Sequence, residues 1–355
     1  MGLSVWMRRD VGVINAFDDG LPPVESLADL WTEMPPFAPD LIEGVLRRGH
    51  KLLLAGPSKA GKSYALIELC CSIAEGRPWL GFPCAQGRVL YVNLELDRAS
   101  CLHRFHDVRQ AMGAPAGNSV DIWNLRGHAI PMDKLAPKLI RRAMKKNYIA
   151  IVIDPIYKVL TGNENKAYDM TQFCNYFERV ATELDCAVIY AHHHSKGDQS
   201  WKRSMDRASG SGVFARDADA VLDVTELELP PDQRRDDVSA WRITGTLREF
   251  AEFPPVDVWF NWPLHMVEHF DSKEVAPHHE LPSWRRAMNG RKTKEQKLKE
   301  RKHRIEAAVD VLRAKGEIPT IKALADYLGV SADTIRRSAD EHKGLIRENG
   351  VVRRV

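Results

Sequence analysis

One stretch of the chain constrains its fold more than any other: an apolar run that leads directly into a glycine-rich loop. Residues 52–55 read Leu-Leu-Leu-Ala, and residues 56–63 follow as Gly-Pro-Ser-Lys-Ala-Gly-Lys-Ser. This is the G-x-x-x-x-G-K-S pattern of a phosphate-binding P-loop. A helix-forming run begins at Tyr64. The strand–loop–helix order predicts an α/β fold that binds a nucleoside triphosphate, ATP, together with Mg²⁺.

Each position of the loop has a predicted task. Gly56 and Gly61 let the backbone turn tightly and direct its N–H groups toward an anion, beside the positive end of the following helix. Lys62 is expected to reach the β- and γ-phosphates, and Ser63 to place a hydroxyl on Mg²⁺. The predicted nucleotide-binding residues are Gly56, Pro57, Ser58, Lys59, Ala60, Gly61, Lys62, Ser63 and Tyr64.

The composition limits the other classes of protein. A length of 355 residues predicts about two domains, and a net charge of +3 means that affinity for nucleic acid must come from local patches. The six cysteines form no C-x-x-C pair, which argues against a zinc site and against a disulfide framework. With no signal peptide and no apolar run near the roughly 20 residues of a membrane helix, we expect a cytoplasmic protein.

Four regions are predicted along the chain. Residues 1–45 are rich in proline and form an N-terminal arm, packed on a neighbour or on the core, with a free tail as the alternative. Residues 46–275 form the ATPase domain. Residues 276–304 form a linker in which basic residues crowd together, either as a solvated segment or as one that contacts phosphates. Residues 305–355 form a small helical domain.

The ATPase domain alternates strand-like and helical segments. Near-continuous apolar runs are typical of central strands that are buried on both faces of a parallel sheet. The predicted strands are 51–55, 88–94, 148–153, 186–191 and 219–225, followed by an antiparallel extension at 240–248 and 256–260.

The last region has helix-turn-helix spacing. An amphipathic helix from His303 to Ala314 precedes two helices that Thr320 and Ser331 would cap, and 345–355 would form a wing hairpin. Such modules bind either duplex DNA or another protein, and the sequence leaves both open. The predicted DNA contacts in this module are Arg336 and Arg337.

Hydrolysis needs carboxylates beside the P-loop. Asp154 closes the strand 148–153, at the sheet edge that faces the nucleotide, and is the candidate to hold Mg²⁺. Glu95 follows the strand 88–94, which we place beside the P-loop strand, and is the candidate general base. Spacing alone does not exclude Asp97 from that task.

Polar residues also follow the strand 186–191. Of His192, His193 and His194, we expect one to contact the γ-phosphate or the attacking water, since three consecutive histidines on a strand cannot share one metal. The loop 195–212 after them is rich in basic residues and predicts contacts with nucleic-acid phosphates, or a solvated loop. The predicted DNA-binding residues in this loop are Lys196, Trp201, Lys202 and Arg203.

These segments resemble the RecA-like hexameric helicase ATPases of the RepA/DnaB type over residues 35–270. The specific part of the resemblance is His-His-His-Ser-Lys-Gly at 192–197 and Asp-Arg-Ala-Ser-Gly-Ser-Gly at 206–212. The resemblance implies Glu95 rather than Asp97 as general base, and His193 as the main sensor with His192 beside it.

The resemblance also implies a site shared between subunits. Arg248 lies where the family carries an arginine that reaches the ATP of the neighbouring subunit. Many relatives carry a lysine two residues earlier, where this chain has Thr246, which weakens a mechanism with two cations. Arg242 and Arg207 are the alternatives to Arg248.

The resemblance therefore implies a ring, usually of six subunits, around single-stranded DNA. The predicted function is an ATP-hydrolysing DNA motor, a replicative helicase of a plasmid, phage or other mobile element. Its C-terminal domain would bind duplex DNA or a replication protein. Two alternatives stay open: an ATP-switched DNA-binding or recombination mediator, and a helix-turn-helix regulator that does not unwind DNA.

Overall fold

We describe the fold from a computed structural model of the protein. The description covers most of residues 34–268 and shorter parts of both ends of the chain. The residues described are 22, 24–31, 34–114, 119–160, 162–163, 166–194, 213–230, 238–268, 270, 275–277, 305–313, 316–328, 332, 335–336, 345–348 and 351–354.

A large sheet organises the described part of the chain. Its strands are β3 (Lys51–Gly56), β4 (Arg88–Asn93), β5 (Val120–Asn124), β6 (Tyr148–Asp154), β7 (Ala187–His193), β8 (Ala220–Glu228), β9 (Val238–Leu247), β10 (Val256–Asn261), β11 (Leu264–Val267) and β12 (Ala276–Pro277). The order is β11-β10-β9-β8-β3-β7-β6-β4-β5, and β12 pairs with β8. The strands from β8 to β5 in this order are parallel, whereas β9, β10 and β11 are each antiparallel to the preceding neighbour.

Helices cover both faces of the sheet. They are α1 (Leu27–Leu30), α2 (Lys62–Glu75), α3 (Arg98–Ala111), α4 (Met132–Ala143), α5 (Ala167–Leu184) and α6 (Val213–Asp217), with a 3₁₀ turn at Ile156–Lys158. Apolar residues of α2 and α3 join one core cluster, and those of α4 and α5 join the other. This three-layer arrangement confirms the predicted α/β class with a mostly parallel central sheet.

Strand β3 shows why its sequence is apolar without interruption. All six of its residues are buried, because the strand lies between β7 and β8 and both of its faces are covered. Leu52 and Leu54 pack into the cluster with α2, while Leu53 and Ala55 pack into the opposite cluster. Side chains alternate between the faces of a strand, so a strand with two buried faces needs apolar residues throughout.

The predicted strands are present, with ends that differ by up to three residues. The antiparallel extension β9–β10 is also present, and β11 continues it. One expectation about the order is wrong: β4 is not beside the P-loop strand, because β7 and β6 lie between them. The chain places β4 and β5 at the far side of the sheet and then returns with β6 and β7, and the order along the sequence does not reveal such a crossover.

Residues ahead of β3 also belong to the core. The short antiparallel strands β1 (Asp40–Ile42) and β2 (Leu46–Arg47) bring Leu41, Ile42 and Val45 into the same cluster as α2. These positions lie in the segment that the sequence analysis assigned to an N-terminal arm. Their burial, at 0–2% exposure, requires them to fold with the ATPase domain.

The C-terminal part has its own apolar cluster. Helix α7 at 305–313 and helix α8 (Ile321–Leu328) contribute most of it, together with Ile335 and Val352. The hydroxyl of Thr320 accepts a hydrogen bond from the Ala323 N–H at 3.1 Å, as expected of a helix cap. Strands β13 (Leu345–Glu348) and β14 (Val351–Arg354) form an antiparallel hairpin. The predicted turn and the Ser331 cap lie outside the described residues, so the helix-turn-helix remains a prediction.

Two further observations concern the chain as a whole. All six cysteines are free thiols and all are buried. None of the helices in the described ranges combines the length and the apolar character that crossing a membrane requires.

Truncation of β3 should be costly. Leu54→Ala removes a side chain that is 1% exposed and leaves a cavity beside α2, so we expect a loss of about 2–5 kcal/mol of unfolding free energy. Met144→Ala, at a side chain that is 62% exposed, should change it by less than about 0.5 kcal/mol. Urea titration followed by circular dichroism measures both. Equal effects of the two substitutions would contradict the placement of β3 in the core.

Candidate active site

A cavity of about 600 Å³ opens at the edge of the sheet where β3, β6 and β7 end. Parallel strands end at the same edge, so residues distant in sequence meet there. The cavity is lined by Ser58, Lys59, Ala60, Gly61, Lys62, Ser63, Tyr64, Asn93, Glu95, Leu96, Arg104, Asp154, Pro155, Tyr157, Ala191, His192, His193 and Phe260. Most of the predicted P-loop residues therefore share one cavity with Glu95, Asp154 and His193.

The two P-loop glycines are required for different reasons. Gly61 has a φ of +73° and caps the N-terminus of α2. A Cβ there would also lie 2.8 Å from Nε2 of His265. Gly56 does not have a positive φ, but a Cβ at this position would lie 3.0 Å from Cβ of Val224. Gly61 thus meets a conformational need, and Gly56 a need for close approach.

Lys62 lies at the closed end of the cavity. Its ammonium donates to the carbonyl oxygens of Gly56 at 2.8 Å and Pro57 at 2.7 Å, and lies 3.2 Å from Nδ1 of His193. Burial lowers the pKa of Lys62 to about 8, although the negative charges of Asp154 and Glu95 act in the opposite direction. A triphosphate in this cavity would supply the negative charge that the buried ammonium lacks.

Asp154 ends β6 and is 5% exposed. The Tyr91 hydroxyl donates to its carboxylate at 2.6 Å, and Ser63 also forms a hydrogen bond with it. Burial raises the pKa of Asp154, while the hydrogen bonds from Tyr91 and Ser63 and the charge of Lys62 act against that rise.

The donor set beside Lys62 fits Mg²⁺. The Ser63 hydroxyl and the Asp154 carboxylate are hydrogen-bonded neighbours, and both offer oxygen, which Mg²⁺ prefers. No group of three or more His, Cys, Asp or Glu that suits a metal occurs among the residues described. Few protein ligands are needed by an ion that takes its remaining ligands from phosphates and water.

The structure separates the two carboxylates that spacing left open. Buried Asn93 holds the turn after β4: its Nδ2 donates to the Leu96 carbonyl, and its Oδ1 accepts from the Leu96 N–H. This turn leaves Glu95 exposed on the cavity wall. Asp97 instead caps α3, accepting from the N–H of Ser100 at 2.9 Å and from its hydroxyl at 2.5 Å. Asp97 does not line the cavity.

The three histidines have different surroundings. His193 lines the cavity, and burial together with the charge of Lys62 lowers its pKa to about 4, so its ring is neutral at pH 7. His192 is 2% exposed and also lines the cavity. His194 is directed elsewhere: its Nε2 lies 2.6 Å from Oδ1 of buried Asp223. Of the three, His194 is the one that anchors the end of β7 to the neighbouring sheet.

An aromatic wall forms the other end of the cavity. The Arg104 guanidinium lies 4.8 Å above the ring of Tyr64, and Nε1 of Trp262 donates to the Tyr64 hydroxyl at 2.7 Å. Phe260 packs 5.5 Å from Tyr64. Sequence reasoning missed Arg104 and Phe260, because no local motif marks them. Tyr157 and Asn93 were detectable in principle, since both lie at or just after strand ends.

Arg248 lies at the opposite edge of the sheet. Its guanidinium donates to Oδ1 of Asp219 and to the Arg216 carbonyl, both at 2.7 Å. Asp219 also accepts from the N–H of Lys51, the first residue of β3, whereas the P-loop begins at the last. Arg248 is therefore far from the cavity of its own chain, with a side chain that is 49% exposed.

The other predicted residues divide into two groups. Arg242 forms a two-pronged ion pair with Asp257 on β10, at 2.7 and 2.9 Å, and both side chains are 11% exposed. This pair holds Arg242 within the sheet. Arg336 is exposed. The predictions for Lys196, Trp201, Lys202, Arg203, Arg207 and Arg337 fall outside the described residues.

Comparison with solved structures gives three examples of distant likeness. One ATPase domain is 14% identical with a TM-score of 0.46, over 62% of this chain and 86% of that one. A DnaB-like replicative helicase, described with its interactions with primase, is 15% identical with a TM-score of 0.45, over 62% and 57%. A KaiC-like protein from Pyrococcus horikoshii OT3 is 15% identical with a TM-score of 0.42, over 64% and 94%.

Likenesses at these identities and TM-scores carry no functional argument. A family model gives a firmer result: the AAA domain model matches residues 21–199. The match covers half of the chain and includes the P-loop, Glu95, Asp154 and the three histidines. The chain belongs to the AAA domain family.

Proposed function

We propose that the protein is a Mg²⁺-dependent ATPase that drives movement along DNA. One observation carries the ATPase part: Lys62, Ser63, Glu95, Asp154 and His193 line a single cavity at the carboxyl edge of the parallel sheet. This set includes a phosphate-binding cation, two oxygen ligands for a metal and a carboxylate open to solvent. Together these are the groups that hydrolysis of a nucleoside triphosphate requires.

Each residue has a role in the proposed reaction. Backbone N–H groups of the P-loop and the Lys62 ammonium hold the triphosphate, while Ser63 and Asp154 hold the metal. Bound Mg²⁺ would bridge the β- and γ-phosphate oxygens and neutralise charge there. Glu95 takes the proton from the attacking water.

His193 acts as the sensor of the γ-phosphate. Its Nδ1 accepts from Lys62, so the proton of the neutral ring lies on Nε2. That Nε2–H is then available to donate to the γ-phosphate or to the attacking water. His192 supports the position of the ring next to it.

The proposed DNA motor is a ring, usually of six subunits, around single-stranded DNA. The resemblance of residues 192–197 and 206–212 to RepA/DnaB-type helicases supports it. The position of Arg248 is also compatible with it, since an arginine that serves a neighbour must lie away from its own P-loop. In this proposal the protein is a replicative helicase of a plasmid, phage or other mobile element, and the C-terminal domain binds duplex DNA or a replication protein.

The second candidate is an ATP-switched DNA-binding protein that does not translocate. The ion pair of Arg248 with Asp219 favours it, because this pair holds the guanidinium within its own chain. A motor requires that Arg248 exchange Asp219 for the neighbour's phosphate, whereas a switch does not.

Substitution of Glu95 tests the assignment of the general base. Glu95→Gln should lower DNA-stimulated ATP hydrolysis by about 10²–10⁴-fold, because the amide cannot accept the proton of water. Binding of a fluorescent ATP analogue should be retained. Asp97→Asn serves as the control and should keep near-normal hydrolysis, since Asp97 caps α3 outside the cavity. The opposite pattern would contradict the assignment, and wild-type hydrolysis that DNA does not stimulate would rule out the motor.

The pKa of Lys62 predicts how ATP affinity depends on pH. Below pH 8 the free protein carries the ammonium that ATP needs; above pH 8 it loses that charge, while bound phosphates hold the proton. Affinity should therefore fall about tenfold from pH 7 to pH 9. Lys59→Arg, at an exposed position in the same loop, should show the same profile in a fluorescence titration. A flat wild-type profile would contradict the role of Lys62.

Mixing two inactive variants tests the shared site. Arg248→Ala and Lys62→Ala subunits should each lack activity alone, yet together they should recover part of the ATPase activity. The reason is that some interfaces then combine an intact Lys62 with an intact Arg248 from the neighbour. Phosphate release over a range of mixing ratios measures this. Failure to recover activity in mixed assemblies of normal size would favour the second candidate.

A further inference from the structure

The hairpin formed by β10 and β11 is attached to the P-loop helix by one polar pair. The main-chain N–H of His265 on β11 donates to both carboxylate oxygens of Glu68 at 3.2 Å. Its Nδ1 lies 2.6 Å from Oε1 of the same carboxylate. Glu68 lies in α2, one turn after the P-loop, and the two side chains are only 3% and 7% exposed.

The opposite edge of the same imidazole contacts the P-loop itself. The position that a Cβ of Gly61 would take lies 2.8 Å from Nε2 of His265 and 3.3 Å from Cδ2 of Phe260. The rings of Phe260 and His265 are 4.6 Å apart. The hairpin therefore presses a ring edge onto the residue whose φ of +73° starts α2 and directs the loop toward the phosphates.

The pair also fixes the orientation of the ring. Because Glu68 accepts from Nδ1–H, the imidazole cannot rotate or flip without losing a buried, charge-assisted hydrogen bond. A buried carboxylate paired with histidine is seldom better for stability than a pair of apolar residues. Packing alone therefore gives little reason for this pair, whereas holding Nε2 against Gly61 requires a directional contact.

We propose that His265 is a positioning residue for the triphosphate, oriented by Glu68 and acting through Gly61. It touches no reacting atom: Glu68 sets the ring, and the ring holds the backbone of the P-loop in the conformation that receives phosphates. The inference rests on the proposed ATP binding and deepens it. Loss of this contact should weaken substrate and transition state alike, which raises KM and leaves kcat nearly unchanged.

Two substitutions of opposite design test the proposal. His265→Asn can keep the hydrogen bond to Glu68 but removes the ring edge at Gly61. His265→Gln can return a polar atom near Nε2 but loses the Nδ1 donor. We expect His265→Asn to raise Kd for a fluorescent ATP analogue and KM for ATP about tenfold, with kcat within about twofold. His265→Gln should recover most of the affinity despite a lower Tm.

Met266→Ala is the matched control. Met266 is the next residue on β11, 54% exposed, and its side chain points away from the P-loop. Affinity should be unchanged in this variant. Unchanged Kd and KM in His265→Asn would overturn the proposal, as would equal losses of affinity in the Asn and Gln variants. Absence of ATP-analogue binding by the wild-type protein with Mg²⁺ would instead overturn the proposed function.

Discussion

The rest of the structure depends on the complete burial of β3 and its direct continuation into the P-loop. A strand covered on both faces and paired on both edges cannot shift along its axis without moving its neighbours. It thus delivers Gly56 to a fixed point at the edge of the sheet. From that point Gly61 turns the chain with a positive φ and starts α2, whose buried face keeps the helix N-terminus aimed at the cavity.

Burial also sets the charges of the site. Lys62 and Asp154 lie deep enough that desolvation shifts the pKa of each toward its neutral form. Each is held by directional hydrogen bonds, Lys62 by two carbonyl groups and Asp154 by Tyr91 and Ser63. A site built this way is poorly satisfied without its ligands, and a metal-bound triphosphate supplies the missing charges. The energy of folding is in part stored as affinity for that ligand.

Much of the fold could be predicted because its signals are local. The uninterrupted apolar runs identify β3, β4, β6 and β7, since only a doubly covered strand tolerates them. Strand β5 was missed because its residues are all half-buried, at the edge of the sheet, and its sequence shows no such run. The choice between Glu95 and Asp97 needed the structure, since both follow β4 closely and only the turn held by Asn93 separates them.

The sequence by itself determined the P-loop, the carboxylate at the end of β6 and the alternation of strands and helices. These are properties of short segments, whose conformations depend on nearby residues. Only the tertiary structure decided the order of the strands, the pairing of Arg248 with Asp219 and the contact of His265 with Glu68. The last two residues are 197 positions apart. Contacts of that kind follow from the crossovers between strands, and no pattern of neighbouring residues encodes their distances.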